Sequence, residues 1–396
     1  MRKPNRAALV TDFLGYSGGD LVSIVIAKAL FQAGYVVDIY TDNQARFYKA
    51  CAVFKQSSVL LRDLRVVQVH LPSPYFYVPC TLLNIRGHYD VVVYADDIPR
   101  TAPRKAGVRQ VTYVHFPHSA RVKFNILVDA KYSADLSGRV KWRIHRLALR
   151  RLFYVDAAPP LDHILLANST LTSFYIAKLW SCAKSEVLYP PVQARWISDM
   201  ARARIERKKD QVAYAGRIMP GRGIEEIITA MAMTRDLQRN VCCKLVGPVI
   251  DERYGSYLSS MIRKAKLERV VELAGLVCRD ELARILIQSK VLVHPVPYEP
   301  FGIVVVEGMA SGCIPIVKRG FNGPWLDILK GCEEHGYSYV SPNELAEKIL
   351  TALYAEPSTR EDVMNYSLRF DEESFTQGFL RLLRDDRTTD PISSRK

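Results

Sequence analysis

A chain of 396 residues, 48% of them hydrophobic, is longer than one core usually organises and can bury a sizeable interior, so two domains of comparable size are expected. Its net charge of +14 points to anionic partners, for which nucleic acid, anionic lipid and phosphorylated substrates all qualify. No apolar run reaches the roughly 18 residues of a membrane-spanning helix, and Met1-Arg-Lys-Pro-Asn-Arg6 enters a short strand without a signal-peptide core, which predicts a cytoplasmic chain, free or peripheral on the cytoplasmic membrane face.

Ala7–Val10 reads as the first strand, Asp12–Asp20 as a Gly-rich turn, and Leu21–Gln32 as an apolar-periodic helix ending at Gly34. Val36–Tyr40, Asp90–Tyr94, Val111–Val114 and Ile164–Ala167 continue the strands, and alternating β and α predicts a parallel sheet covered on both faces, with ligands at the strands' carboxyl ends. Backbone at Gly15-Tyr-Ser-Gly18-Gly19 can pass close under a ligand, or form an ordinary turn; the G-x-G-x-x-G spacing of a dinucleotide fingerprint is absent, which argues against a dehydrogenase. His115 ends a strand on the ligand-side rim, with His118 as a supporting or loop residue, and one H-x-x-H without a third ligand is poor grounds for metal. Asp96-Asp97 would suit a metal-bound diphosphate, but acidic strand ends are common. Arg139–Phe153 combines six Lys/Arg with Trp142, Leu147 and Phe153: either an interfacial basic helix for an anionic membrane surface or a domain-surface helix with a solvated cationic face.

Tyr189-Pro-Pro-Val192 and the charged run Arg202–Asp210 suggest the interdomain connection. A second α/β half starts at Gln211–Arg217, continues through an amphipathic helix Ile224–Met233 and reaches Cys242–Gly247. The eight cysteines stand singly apart from Cys242-Cys243, with no C-x-x-C pair or zinc spacing, and read as buried thiols. After Pro342 two helical stretches are expected, the last, Glu372–Arg384, amphipathic enough to pack across a domain boundary, followed by a polar tail expected to be mobile.

Gly216-Arg217-Ile-Met-Pro-Gly-Arg222-Gly223 brackets a strand-to-helix turn with two guanidinium groups, each able to grip phosphate oxygens bidentately; a solvated loop with two surface arginines is the competing reading. Further on, Glu299 and Glu307 stand eight positions apart around Pro300-Phe301-Gly302. A helix starting at Gly302 would aim free N–H groups and a positive dipole end at an anion, and Glu307, one to two turns in, would accept hydrogen bonds from ribose hydroxyls. The β-branched run Ile303–Val306 favours a strand by propensity, whereas Ser311-Gly312 fits a helix C-terminus followed by a strand Cys313–Val317, in which Pro315 weakens edge pairing.

Together these segments resemble the retaining glycosyltransferases of family 4. Tyr113-Val-His-Phe-Pro117, Ala167-Asn-Ser-Thr170 with Leu179-Trp180, Leu188-Tyr-Pro-Pro-Val192 and Gly323-Pro-Trp-Leu-Asp327 look most like the α-1,2-mannosyltransferases that extend lipid-linked oligosaccharides from GDP-mannose. The resemblance implies the α/β GT-B fold, with residues 1–190 as an acceptor-side Rossmann-like domain completed by helix 372–385, residues 191–371 as the nucleotide-sugar domain facing it across a cleft, and 386–396 as the tail. It implies that Glu307 holds the donor ribose, that Glu299 with the Pro300-Phe301-Gly302 backbone orients the sugar, and that Arg217 and Arg222 neutralise the diphosphate. His115 would touch the donor sugar, and Gly18 and Gly19 would line the same cleft. Catalytic work falls to His115, Glu299, Arg217 and Arg222, with no metal and no cofactor beyond the donor substrate. The implied partners are a nucleotide sugar, a lipid-linked or other glycan acceptor and an anionic membrane surface through residues 139–153, with no nucleic acid. Arg222 departs from the family's usual Lys, and Trp325 replaces the expected basic residue. A GT-B sugar-nucleotide epimerase and a basic nucleic-acid-binding or scaffold protein are the alternatives.

Overall fold

The computed structural model describes residues 5–13, 17–56, 64–69, 89–96, 108–117, 120, 140, 164–180, 184–203, 209–237 and 241–384. Gly15, Asp97, His118, the basic stretch 139–153 apart from Val140, and the tail 386–396 lie outside the described residues. The chain divides into two compact units, with crossings at Pro191–Val192 and Asp371–Glu372.

In the first unit, β1 (Arg6–Thr11), β2 (Val36–Thr41), β3 (Arg65–Gln68), β4 (Val91–Asp96), β5 (Arg109–Val114), β6 (Ile164–Ala167) and β7 (Glu186–Val187) form one parallel sheet in the order β3-β2-β1-β4-β5-β6-β7. Ala7 of β1 pairs with Val37 on one side and Val91 on the other, and the central strands read as near-continuous apolar runs because both faces are covered. Helix α1 (Gly18–Gln32) begins three residues before the periodicity suggested. Ser17 caps the Asp20 amide and the Asp20 carboxylate returns to the Ser17 amide, a capping box that makes Gly18 and Gly19 the first helical turn rather than part of a loop. The helix then buries Leu21 through Ala27 almost without a break, and its buried Ser23 hydroxyl is satisfied by Thr11 at 2.6 Å. Helices α2 (Gln44–Val53) and α3 (Thr170–Leu179) follow β2 and β6.

The second unit repeats the winding. Strands β8 (Lys209–Ala215), β9 (Cys242–Val246), β10 (Val271–Gly275), β11 (Ser289–His294), β12 (Ile314–Lys318) and β13 (Tyr337–Tyr339) lie parallel in the order β10-β9-β8-β11-β12-β13. Along the chain run α4 (Ala194–Arg202), α5 (Ile224–Leu237), α6 (Glu252–Lys264), α7 (Arg279–Gln288) and α8 (Ile303–Ala310), then α9 (Pro342–Leu353) and α10 (Pro357–Ser367). Ile303–Val306 is helical despite its β propensity: Val305 and Val306 are fully buried, so packing overrides intrinsic preference. Gly312 takes the position just past α8. Strand β12 is interior, not an edge. Pro315 is tolerated because it pairs with Leu292 at the start of the strand, before pairing with β13 opens at Ile316–Tyr337.

Among the described residues three α-helices rather than two follow residue 341. The unexpected one, α10, opens on Pro357 and buries Arg360, Val363, Met364 and Ser367 at helical spacing, but only two of these are apolar, so no hydrophobic period shows in the sequence. The last, α11 (Glu372–Arg384), returns to the first unit: Phe375 and Phe379, 2% and 1% exposed, join the cluster of Leu9, Val93 and Tyr113, and Lys28 meets Glu372 at 3.4 Å. Burying each ring contributes about 1.5–3 kcal/mol.

Candidate active site

The second sheet reverses direction between β8 and β11, and ligands of doubly wound sheets sit outside the carboxyl ends of the strands at such a point. The chain leaves β8 into Gly216–Gly223 and leaves β11 into Pro295–Gly302, so the two motifs singled out in the sequence emerge side by side. Gly223 makes the approach possible: it has φ +71°, and a Cβ there would lie 2.6 Å from the Pro295 carbonyl oxygen.

Arg222 Nη1 donates to Glu299 Oε2 at 3.0 Å, with both side chains a little over a fifth exposed. Arg217 is exposed and forms no ion pair among the described residues, while its carbonyl accepts from the Tyr214 hydroxyl at 3.0 Å. Burial pushes the Tyr214 phenol up; Arg222 and Arg217 oppose that shift, and Glu299 and Glu225 add to it. His294, the last residue of β11, is 4% exposed, and its Nε2 lies 3.8 Å from the same Glu299 oxygen. Burial pushes its imidazole down to about 4, Glu299 opposing and Arg222 reinforcing.

The Glu299 loop is braced from the neighbouring segment. Gly323 N–H donates to the Glu299 carbonyl at 2.8 Å, and the buried Asn322 amide donates to the Pro297 carbonyl at 3.3 Å. Gly302 sits at φ +91° as N-cap of α8, with no side chain capping the helix, so the first amides keep their outward polarity for an anion. Phe301 is 2% exposed and packs edge-on against Phe370 at 5.6 Å, so at Pro300-Phe301-Gly302 it is the backbone that borders the site. Trp325, where a basic residue was expected, carries the Arg319 guanidinium 5.8 Å over its ring.

Glu307 lies on α8 in a separate pair. Arg279 Nη1 donates to Glu307 Oε1 at 2.9 Å and Arg279 Nε to Gln193 Oε1 at 3.1 Å, with the guanidinium 5.7 Å over the Trp196 ring. Glu307 is 7% exposed. In the first unit, taken by itself, a Cβ on Gly19 would lie 3.3 Å from His115 Nε2, so the helix start and this histidine adjoin. His115 also packs edge-on to Tyr113 at 5.3 Å, and its carbonyl accepts from the Thr172 hydroxyl at 3.1 Å. Sequence reasoning missed Arg279 and His294. His294 stands at a strand end, the same signal that singled out His115; Arg279 opens a helix amid acidic residues, and nothing local marks its reach to a carboxylate 28 positions away.

Residues 198–369 match the family described as Glycosyl transferases group 1. The GDP-Man:Man(3)GlcNAc(2)-PP-Dol alpha-1,2-mannosyltransferase of Caenorhabditis elegans is 25% identical over 357 residues, 84% of this chain and 72% of that protein. Its counterpart in Dictyostelium discoideum is 22% identical over 295 residues, 69% of this chain and 58% of that protein. The solved structure of Anabaena HepE in complex with UDP and glucose superposes with a TM-score of 0.66 at 16% identity, covering 96% of this chain and 99% of HepE. The fold is GT-B, an α/β architecture of two Rossmann-like parallel-sheet domains, and with the family match and these relatives the findings support a GT-B glycosyltransferase.

Proposed function

We propose that the chain is a retaining glycosyltransferase that moves mannose from GDP-mannose to a lipid-linked or other glycan acceptor at the cytoplasmic membrane face. The observation that carries the reading is the Arg222–Glu299 pair at the β8/β11 reversal, set beside the exposed Arg217 and the uncapped start of α8. Two guanidinium groups and a helix N-terminus suit a diphosphate without a metal, and a carboxylate beside them suits sugar hydroxyls. Glu307, steadied by Arg279, holds the ribose. The GDP-mannose assignment is supported by the activity for which the relatives are named.

In the proposed step the bond between the anomeric carbon and the diphosphate oxygen breaks. The acceptor oxygen bonds to the same face of that carbon, and the acceptor's proton passes to the departing phosphate. Arg217, Arg222 and the α8 amides hold the charge that develops on the diphosphate, so preorganised electrostatics carries most of the acceleration. His115 and the Gly18–Gly19 helix start serve the donor sugar.

Among the described residues no helix is long and apolar enough to cross a membrane, and an acceptor in a membrane is reached through peripheral attachment, to which the basic stretch 139–153 contributes. The test is thermal unfolding with GDP, UDP, GDP-mannose, UDP-N-acetylglucosamine and NAD, followed by product analysis with and without acceptor. A stabilisation selective for GDP compounds and absent in Glu307→Ala is expected. A UDP-selective shift would reassign the donor, product formed from donor alone would indicate an epimerase, and no shift at all would sink the enzyme.

A further inference from the structure

His294 is a polar residue in a buried place. It ends β11, between β8 and β12, at 4% exposure, and neither ring nitrogen has a hydrogen-bond partner among the described residues. Native interiors rarely tolerate two orphaned nitrogens, and an aliphatic or phenyl side chain would fill the position without that cost. Glu299 Oε2 lies 3.8 Å from Nε2, beyond hydrogen-bond range, and that same oxygen is held by Arg222 at 3.0 Å.

Arg222 engages Glu299 through one guanidinium nitrogen and the oxygen that faces His294, so a diphosphate that recruits this guanidinium competes with the pair. We propose that His294 is a positioning residue which takes over Glu299 when a donor diphosphate draws Arg222 away. This rests on the donor-site reading above. A neutral imidazole has one N–H to give, and a movement of the carboxylate by about an ångström brings it within reach. The Arg222 backbone cannot follow its side chain, because Gly223 is packed directly on Pro295, so the exchange is confined to side chains. Held by His294, Glu299 keeps its orientation at the moment it accepts the sugar hydroxyls.

The experiment measures binding of GDP and GDP-mannose by calorimetry in wild type, His294→Phe, His294→Gln, His294→Asn, Glu299→Gln, and Glu299→Gln with His294→Phe. The preference for GDP-mannose over GDP should fall roughly 10-fold or more in His294→Phe, the size expected for one hydrogen bond to a charged group. Affinity for GDP itself should hold. Gln, whose amide extends as far as the imidazole, should restore the preference, and the shorter Asn should not, which keeps the test open if Phe fails to fold. In the Glu299→Gln background His294→Phe should have no further effect, since His294 acts through that carboxylate. Equal losses in both backgrounds, or no loss in either, would overturn the inference. If wild type shows no preference for GDP-mannose, or Glu299→Gln leaves it intact, the donor-site reading itself fails and this inference falls with it. If Glu299→Gln abolishes the preference while every His294 variant keeps it, only the inference fails.

Discussion

The two sheets share one strand order, β1 beside β4 and β8 beside β11, but the chain leaves them with different chemistry. Beyond β1 come two glycines and a capped helix, and beyond β5 a histidine lies against the second of them. Beyond β8 and β11 come Arg217, Arg222 and Glu299, His294 ends β11, and Arg279 pairs with Glu307 between α7 and α8. Topology thus dictates where a ligand can lie in each unit, whereas the residues just past the strand ends decide what each edge can do. The Arg222–Glu299 and Arg279–Glu307 pairs belong to the second unit; among the described residues the first presents two helix-start glycines with His115 against the second.

The largest effect that would break this contrast is loss of charge in the second unit. Arg222→Ala should lower turnover about 100- to 1,000-fold, as removal of one preorganised donor typically does. Its thermal midpoint should move little, because a partly exposed ion pair contributes at most about 1 kcal/mol. Steady-state kinetics beside a melting curve decides it, and unimpaired turnover would move the diphosphate site elsewhere.

Acid stability separates the units next. His294 is held neutral in the folded protein, down to about 4, and recovers the ordinary value of about 6.5 when unfolded. The unfolded chain therefore binds the extra proton first, so stability is intact above pH ~6.5 and falls as pH drops toward ~4, by about 3 kcal/mol in all. His294→Gln should flatten that limb of a denaturant-derived stability profile; an unchanged slope would mean that the imidazole is not buried as described. Gly223→Ala should follow, at about 1–3 kcal/mol, since φ +71° and a Cβ 2.6 Å from a backbone oxygen cannot both be relieved by side-chain motion. The same variant should weaken GDP binding, because Arg222 moves with its neighbour.

Why some of this was readable beforehand follows from what each feature depends on. The strands named from the sequence, β1, β2, β4, β5, β6, β8, β9 and β12, are mostly apolar runs between turn residues, a local property, whereas the short β3 and β7, with a polar residue in each, carry no such signal. The bracket of Gly302 and Gly312 outweighed the β-branched run Ile303–Val306 for the same reason, since both glycines mark helix ends whatever lies between. Glu299 was legible through its spacing from Gly302, but its partner was not, because the Arg222–Glu299 contact joins residues 77 apart and exists only once β8 and β11 are neighbours. Arg279 on Glu307 is the same case. Helix α10 escaped because its buried side includes Arg360, whose guanidinium donates to the carbonyls of Lys290, Gly312 and Ala352; a cation among carbonyls carries no hydrophobic period.

The smallest predicted effect lies in the first unit. Gly19 is in the first turn of α1 and takes ordinary helical backbone, so alanine there meets no conformational penalty and gains helix propensity. The added methyl would meet His115 Nε2 at 3.3 Å, a few tenths of an ångström too close, and the Ser17 hydroxyl at 3.6 Å. The imidazole can yield by tilting, since it is half-buried and packed edge-on against Tyr113. Stability of Gly19→Ala should therefore change by less than about 1 kcal/mol. If His115 serves the donor sugar, even that small tilt lowers turnover measurably while leaving GDP affinity alone, and Gly19→Ala with His115→Ala should be no worse than His115→Ala alone. An added loss in the double variant would instead assign the role to the helix-start backbone, and the contrast between a charged edge and a close-approach edge would then rest on the glycine rather than on the histidine.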